Sequence, residues 1–211
     1  MEPTRALMAG QSGLFVTFEG GERTGKSTQI AAIAARVRAA GRVAVTSREP
    51  GGTRLGERLR EALFEGDSPA PEAELLIFAA ARAQLVHELI RPALDDGAVV
   101  LCDRFADSTV AYQQYGRGLD PALVASVNAA ATGGLTPDLT VLLDMPPAEA
   151  RRRRDEQTDY IEREQSAFHE RVREGYLTLA GEQPGRWATF EAREPVDTLT
   201  AQIWERIARL L

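Results

Sequence analysis

The chain predicts an α/β fold, a parallel sheet covered by helices on both faces. Three observations carry that expectation. Short apolar runs rich in Val, Leu and Phe recur along the chain, continuous rather than alternating. Each is followed by a stretch rich in Ala, Arg and Leu, with apolar residues at helical spacing. Pro and Gly clusters fall between these elements rather than in one linker. The sequence shows no internal repeat or low-complexity tract, so a single domain over 13–211 is the simplest reading, preceded by a flexible N-terminal extension at 1–12.

The first strand is "LFVTF" (14–18), and a helix follows over 26–40. "RVAVT" (42–46) is the second strand; "REPGG" then turns the chain into a helix at 54–64. A long helical stretch covers 71–95, ahead of the strand "AVVLC" (98–102). The helix at 120–131 precedes "LTVLL" (139–143), and helices at 146–154 and 162–181 precede "WATF" (187–190). A last helix spans 195–211.

Composition narrows the function. Hydrophobic residues make up 44% and charged residues 27%, ordinary for a globular chain. The net charge of −6 argues against a broad electrostatic grip on nucleic acid or an anionic membrane, so neither is expected as a partner and any anion site must be local. A single cysteine, Cys102, excludes an internal disulfide, reads as a buried strand thiol and fits a reducing compartment. No apolar stretch approaches the roughly 18 residues of a membrane span, and the start lacks a basic leader, so the expected location is cytoplasmic. His87 and His169 fall in predicted helices without a cluster of partners and read as surface or packing residues.

The chemistry concentrates in "FEGGERTGKST" (18–28). "GGERTGKS" (20–27) fits G-x-x-x-x-G-K-[ST] between a predicted strand and a predicted helix, the context that motif requires. Gly20 and Gly25 permit backbone conformations that turn a run of N–H groups around phosphate oxygens, and the helix from Lys26 adds its positive end. Lys26 is the only lysine among 25 basic residues. An ammonium is a compact point charge that fits inside a tight backbone ring, where the planar guanidinium fork does not. The Ser27 hydroxyl is a Mg²⁺ ligand in such loops. A regulatory GTPase would need N-K-x-D, which is absent. The strand "AVVLC" ends in Asp103-Arg104, a pair suited to holding a metal and gripping an acceptor phosphate bidentately.

The loop, together with "REPGGT" (48–53), "LLIFAAARAQL" (75–85) and "DRFADSTVAYQQYGRG" (103–118), resembles bacterial thymidylate kinases in order and spacing, from Leu14 to the C-terminus. The resemblance implies a P-loop NTPase three-layer α/β/α sandwich, with a five-stranded parallel sheet and a short mobile lid at about 146–162. It implies transfer from ATP to dTMP with Mg²⁺, and a homodimer. ATP would lie along Gly20, Gly21, Glu22, Arg23, Thr24, Gly25, Lys26, Ser27 and Thr28, with Ala192 and Arg193 near the adenine. Mg²⁺ would be held by Ser27 and Asp103. For dTMP, the resemblance implies Phe78 stacked on the base and Arg82 hydrogen-bonded to it, with Ser108, Thr109 and Gln113 at the base edge. Tyr112 would crowd the sugar and Glu22 would lie near its 3′-hydroxyl. Arg48, Arg104 and, more weakly, Arg60 belong with the acceptor phosphate, alongside Pro50 of the turn.

Such a transfer needs no general base, because the acceptor phosphate is already anionic; positioning and charge stabilisation carry it. Lys26, Asp103 and Arg104 are the expected catalytic residues, with an arginine aimed at the moving phosphoryl group. Arg23 in the loop and the run Arg151–Arg154 in the lid can both supply that arginine, Arg153 being the first choice within the run. The lid departs from its relatives by being about two residues short, with Tyr160 where arginine is common. Two other readings stay open at this stage: a kinase of the same superfamily with another acceptor, and a nucleotide-dependent switch.

Overall fold

The computed structural model describes residues 12–65, 68–153 and 159–211. All but the last residue of the expected N-terminal extension, and Arg154 with the middle of the expected lid, lie outside the described residues.

The apolar runs form five strands: β1 (Leu14–Glu19), β2 (Ala44–Arg48), β3 (Val99–Asp103), β4 (Leu139–Asp144) and β5 (Trp187–Glu191). They pair in parallel in the order β2-β3-β1-β4-β5. Val16 of β1 sits opposite Leu101 on one side and Leu139 on the other. β1, β3 and β4 are apolar almost throughout because both faces are covered, whereas the edge strands β2 and β5 are only partly buried.

On one face lie α1 (Lys26–Ala39) and α9 (Val196–Ala208), whose Ile33, Val37, Ile203 and Ile207 pack with Val16, Phe18, Leu101 and Val141. Gln29 joins the two helices, accepting from Thr200 Oγ1 at 2.7 Å and donating to the Val196 carbonyl at 3.1 Å. On the other face α3 (Pro71–Leu85) continues through a π-helical turn (Val86–Ile90) into α4 (Arg91–Asp95), and Leu85, Val86 and Ile90 cover Phe15, Val100 and Cys102. Also on this side, α8 (Ser166–Glu182) packs Phe168, Val172 and Tyr176 with Leu142 and Trp187. Helices on both faces of a five-stranded parallel sheet are the expected architecture.

Several boundaries differ from expectation, each for a physical reason. β2 starts two residues later and runs to Arg48, because its register with β3 carries on to Asp103. The helical stretch at 71–95 is continuous in course but not in winding. Pro92 has no N–H and its ring crowds the carbonyl four residues back; the wider turn just before it, in which Arg91 N–H reaches the Val86 carbonyl, absorbs this. The run after Asp103 is itself helical, α5 (Ala106–Thr109) opening into a π-helical turn (Val110–Gly116). The remaining helices are α2 (Arg54–Phe64), α6 (Pro121–Thr132) and a short α7 (Pro147–Arg152) at the start of the expected lid.

Leu101 is wholly buried at the centre of this core. Leu101→Ala is therefore expected to lower unfolding free energy by about 2–5 kcal/mol, read from the denaturant midpoint at unchanged m-value.

Candidate active site

The carboxyl ends of the parallel strands, on either side of the point where the sheet order reverses, hold the polar residues of the fold, as expected for an open α/β sheet. Leaving β1, the chain enters the loop 20–25 with Gly20 at φ 134° and Gly25 at φ 96°. A Cβ at Gly20 would come within 2.5 Å of the Leu143 carbonyl oxygen, so only glycine lets the loop pass β4. Lys26 folds back into the ring it opens, its Nζ donating to the carbonyls of Gly21 at 2.8 Å and Gly20 at 3.3 Å. Burial lowers the pKa of this ammonium and Arg104 adds to the push, while Asp103, Glu22 and Glu19 oppose it. Ser27 Oγ donates to Asp103 Oδ2 at 3.1 Å. The two expected metal ligands therefore stand side by side beneath the loop, a donor set of hard oxygens that suits Mg²⁺ completed by waters and phosphate oxygens. Among the described residues no cluster of three or more His, Cys, Asp or Glu offers a larger metal cage.

Arg104 follows β3 at φ 69°, and Arg23 in the loop has φ 61°. Positive φ costs a non-glycine residue free energy, and such strain gathers at functional sites. The Arg104 guanidinium donates to the Gly20 carbonyl at 3.0 Å and to Tyr176 Oη at 3.1 Å, pairs with Glu22, and lies 4.9 Å from the Tyr112 ring centroid. Tyr112 Oη also donates to Glu22, at 2.9 Å. Burial alone would raise the Glu22 pKa, but Arg104, Lys26 and the Tyr112 hydroxyl outweigh it and hold the carboxyl at about 2. Beneath them Glu19 accepts from the Phe105 amide at 2.8 Å and from Ser108 Oγ and Tyr176 Oη. Burial, aided by the charge of Asp107, pushes Glu19 up to about 8, against Ser108, Arg104 and the Phe105 amide.

A cleft along the loop is lined by Glu22, Arg23, Gly25, Lys26, Ser27, Thr28, Arg48, Asp103 and Arg104. A second pocket opens from it, lined by Pro50, Phe78, Arg82, Ser108, Thr109, Tyr112 and Gln113. The two share Glu22, Glu49, Arg60 and Arg104, so they are two ends of one cleft. A recess with apolar walls and a few convergent polar groups suits a small ligand. The π-helical turn brings Tyr112 and Gln113 into one cavity wall with Ser108 and Thr109 of α5, since its wider winding sends side chains four and five apart in similar directions.

Every residue expected around the acceptor lines this cavity except Arg48, which lies in the loop cleft and pairs with Glu57 at 3.1 Å. Arg82 is 1% exposed and heavily engaged: Nε donates to Glu49, Nη1 to Asn128, and Nη2 to Thr109 Oγ1 and the Phe105 carbonyl. Of five N–H donors, one on Nη1 remains for a ligand. Arg60 donates to the Pro50 carbonyl at 3.1 Å. Thr24 is buried, its Oγ1 donating to the Gly21 carbonyl. Ala192 and Arg193 stand beyond β5, apart from both ends of the cleft. The Ala192 carbonyl accepts from Arg153 Nη2 at 2.7 Å, and Arg193 pairs on the surface with Glu191 and Glu149. Arg153 also donates to the Arg23 carbonyl at 3.2 Å, and Arg23 pairs with Glu162 at 2.8 Å beside a further cavity between β4, α7 and α8. Arg23 and Arg153, the two arginines expected to reach the moving phosphoryl group, thus lie together where the loop meets the start of the expected lid.

Sequence reasoning missed Glu19, Glu49, Tyr176, Phe64 and Ile161. A usable signal existed for Glu19 alone, a carboxylate ending a strand that is otherwise almost wholly apolar.

The sequence model of the thymidylate kinase family matches residues 18–203. Curated relatives named thymidylate kinase include one from Deinococcus radiodurans, 50% identical over 202 residues that cover 93% of this chain and 97% of the relative. Another, from Thermomicrobium roseum, is 47% identical over 200 residues covering 93% and 95%. Among solved structures, thymidylate kinase from Ehrlichia chaffeensis superposes with a TM-score of 0.79 at 30% identity, over 93% of this chain and 99% of that one.

The depressed Glu22 pKa has a signed consequence. Its folded value, about 2, lies below the ordinary 4.5, so its contribution to stability is present above pH 4.5 and is lost as pH falls toward 2. The side chain is 33% exposed, so solvent screens the pair in part. Wild type should lose stability relative to Glu22→Gln as pH falls through that window, measured by urea unfolding at pH 2, 3, 4 and 5; a constant difference would show that Glu22 is not held ionised.

Proposed function

We infer that this chain, which belongs to the thymidylate kinase family, transfers the γ-phosphoryl group of ATP to dTMP with Mg²⁺, giving ADP and dTDP. The observation that carries the reading is the continuity of the cleft: a loop suited to a triphosphate and a pocket suited to a flat base share Arg104, Glu22, Glu49 and Arg60.

The Lys26 ammonium and the loop amides hold the donor phosphates, and the single lysine sits where a point charge inside a ring of amides is needed. Mg²⁺, held through Ser27 and Asp103, would neutralise charge on the donor phosphates. At the other end Phe78 offers a face for the pyrimidine, and Arg82, Ser108, Thr109 and Gln113 surround the base edge. Tyr112, fixed by its bond to Glu22, borders the sugar, and Glu22 accepts from the 3′-hydroxyl. Arg104 and Arg48 grip the acceptor phosphate, whose anionic oxygen forms the new bond to phosphorus as the bond to the ADP oxygen breaks in line. The chain forms no covalent intermediate.

Arg23 and Arg153 share the stabilisation of the transferring group, brought to it by a lid over 146–162. Support comes from their place at the loop–lid seam: Arg153 spans the Arg23 and Ala192 carbonyls, and Glu162 holds Arg23. The partners are dTMP and ATP, with a second copy of the chain in a homodimer; the exposed Leu76 of α3 and Leu123 of α6 support an apolar contact face. Among the described residues no helix is long and apolar enough to cross a membrane, and with the buried thiol of Cys102 this supports the cytoplasmic reading.

Product analysis with ATP, Mg²⁺ and an equimolar mixture of dTMP, dUMP, CMP and thymidine should yield dTDP far ahead of any other product. ATP hydrolysis without a phosphorylated nucleotide would overturn the reading. Within that assay Arg23→Ala should lower kcat roughly 10²- to 10³-fold with little change in KM for dTMP, and full turnover would remove Arg23 from the mechanism.

A further inference from the structure

Glu74 lies in the first turn of α3, 1% exposed, and lines neither end of the cleft. Three donor side chains from two separate segments nevertheless converge on it. Gln113 Nε2 reaches its Oε1 at 2.8 Å, and Arg117 reaches Oε1 through Nε at 3.1 Å and Oε2 through Nη2 at 3.0 Å. Tyr160, from the lid side, donates to Oε2 at 2.7 Å. Burial beside this carboxylate keeps the Tyr160 hydroxyl protonated, hence a donor. Arg117 is itself clamped, paired with Glu164 and 4.7 Å from the Phe168 ring centroid.

A carboxylate bound by an arginine fork accepts at both oxygens and donates nothing. It therefore admits one orientation of the Gln113 carboxamide, with NH₂ toward Glu74 and the carbonyl away from it. Gln113 is 1% exposed and lines the cavity beside Arg82 and Thr109, and among the described residues its Oε1 has no hydrogen-bond partner. The group aimed at the ligand is thus an acceptor. A thymine or uracil ring presents a donor at N3, whereas cytosine presents an acceptor there.

We propose that Glu74 is a specificity-positioning residue: by fixing the Gln113 carboxamide, it makes the pocket complementary to a pyrimidine with N3–H and hostile to cytosine. This rests on the dTMP reading above and deepens it. Tyr160 takes part because its hydroxyl completes the coordination of the same carboxylate, so the lid side of the cleft and the base reader meet on one residue.

The test is a panel of kcat/KM values for dTMP, dUMP and dCMP in wild type, Glu74→Gln, Gln113→Ala and the double variant. A carboxamide at 74 admits either orientation of Gln113. The dTMP-to-dCMP ratio should therefore fall roughly ten- to a hundred-fold in Glu74→Gln, chiefly through KM for the acceptor. The dTMP-to-dUMP ratio should not move, since both bases carry N3–H, and KM for ATP should stay within two-fold. In the Gln113→Ala background the change at 74 should have no further effect on the ratio. An unchanged dTMP-to-dCMP ratio, or an equal effect of Glu74→Gln with and without Gln113, overturns the proposal.

Should Glu74→Gln fail to fold, wild type decides the matter. The N3–H proton of ¹⁵N-labelled dTMP bound to wild type should be shifted downfield and slow to exchange, and both effects should be lost in Gln113→Ala; an N3–H equally exposed to solvent in the two proteins overturns the proposal. A wild type that phosphorylates none of the three acceptors would instead overturn the dTMP reading itself, and this inference with it.

Discussion

The site turns on the position of one side chain, Arg104. It leaves the end of β3 at positive φ, and its guanidinium spans the Gly20 carbonyl, Glu22 and Tyr176. Those contacts bring the loop 20–25, the pocket of Phe78 and Arg82, and α8 to a single point. The strain of that backbone is tolerated because Arg104 N–H donates to the Phe18 carbonyl and the neighbouring Phe105 amide is held by Glu19.

A chain with net charge −6 that binds two anions must concentrate positive charge locally. It does so with few residues. Lys26, Arg104, Arg48 and Arg60 line the same cleft, and Glu22 and Glu57 hold Arg104 and Arg48 in place. Acids in an anion site look contradictory until their partners are counted. Glu22 positions Arg104 and Tyr112, and Glu49 positions Arg82. Preorganised cations cost less reorganisation when a phosphate arrives than mobile surface arginines would.

Much of this was legible in the sequence. The strands announced themselves because both faces of β1, β3 and β4 are covered, and the loop because only glycine and lysine satisfy its geometry. The meeting of Phe78, Arg82 and Gln113 in one pocket was legible through the resemblance, although they are scattered along the chain. What stayed hidden, Glu22 apart, were carboxylates that hold the cleft's side chains, Glu49 and Glu74 among them. Glu74 at the start of a helix reads as an ordinary favourable end charge, and Glu49 reads as part of a turn. Their burial follows from tertiary packing, for which one-dimensional spacing has no signal. The π-helical winding of 110–116 was equally silent, since apolar periodicity is counted at 3.6 residues per turn.

The central claim, that one cleft holds donor and acceptor end to end across Arg104, is tested most directly by calorimetric titration with a compound joining adenosine to deoxythymidine, 5′ to 5′, through a chain of phosphates. The account predicts binding at least a hundred-fold tighter than either dTMP or ATP alone, at one compound per chain, with both nucleotides displaced together. Retention of ATP while the compound is bound, or displacement of only one nucleotide, would contradict it.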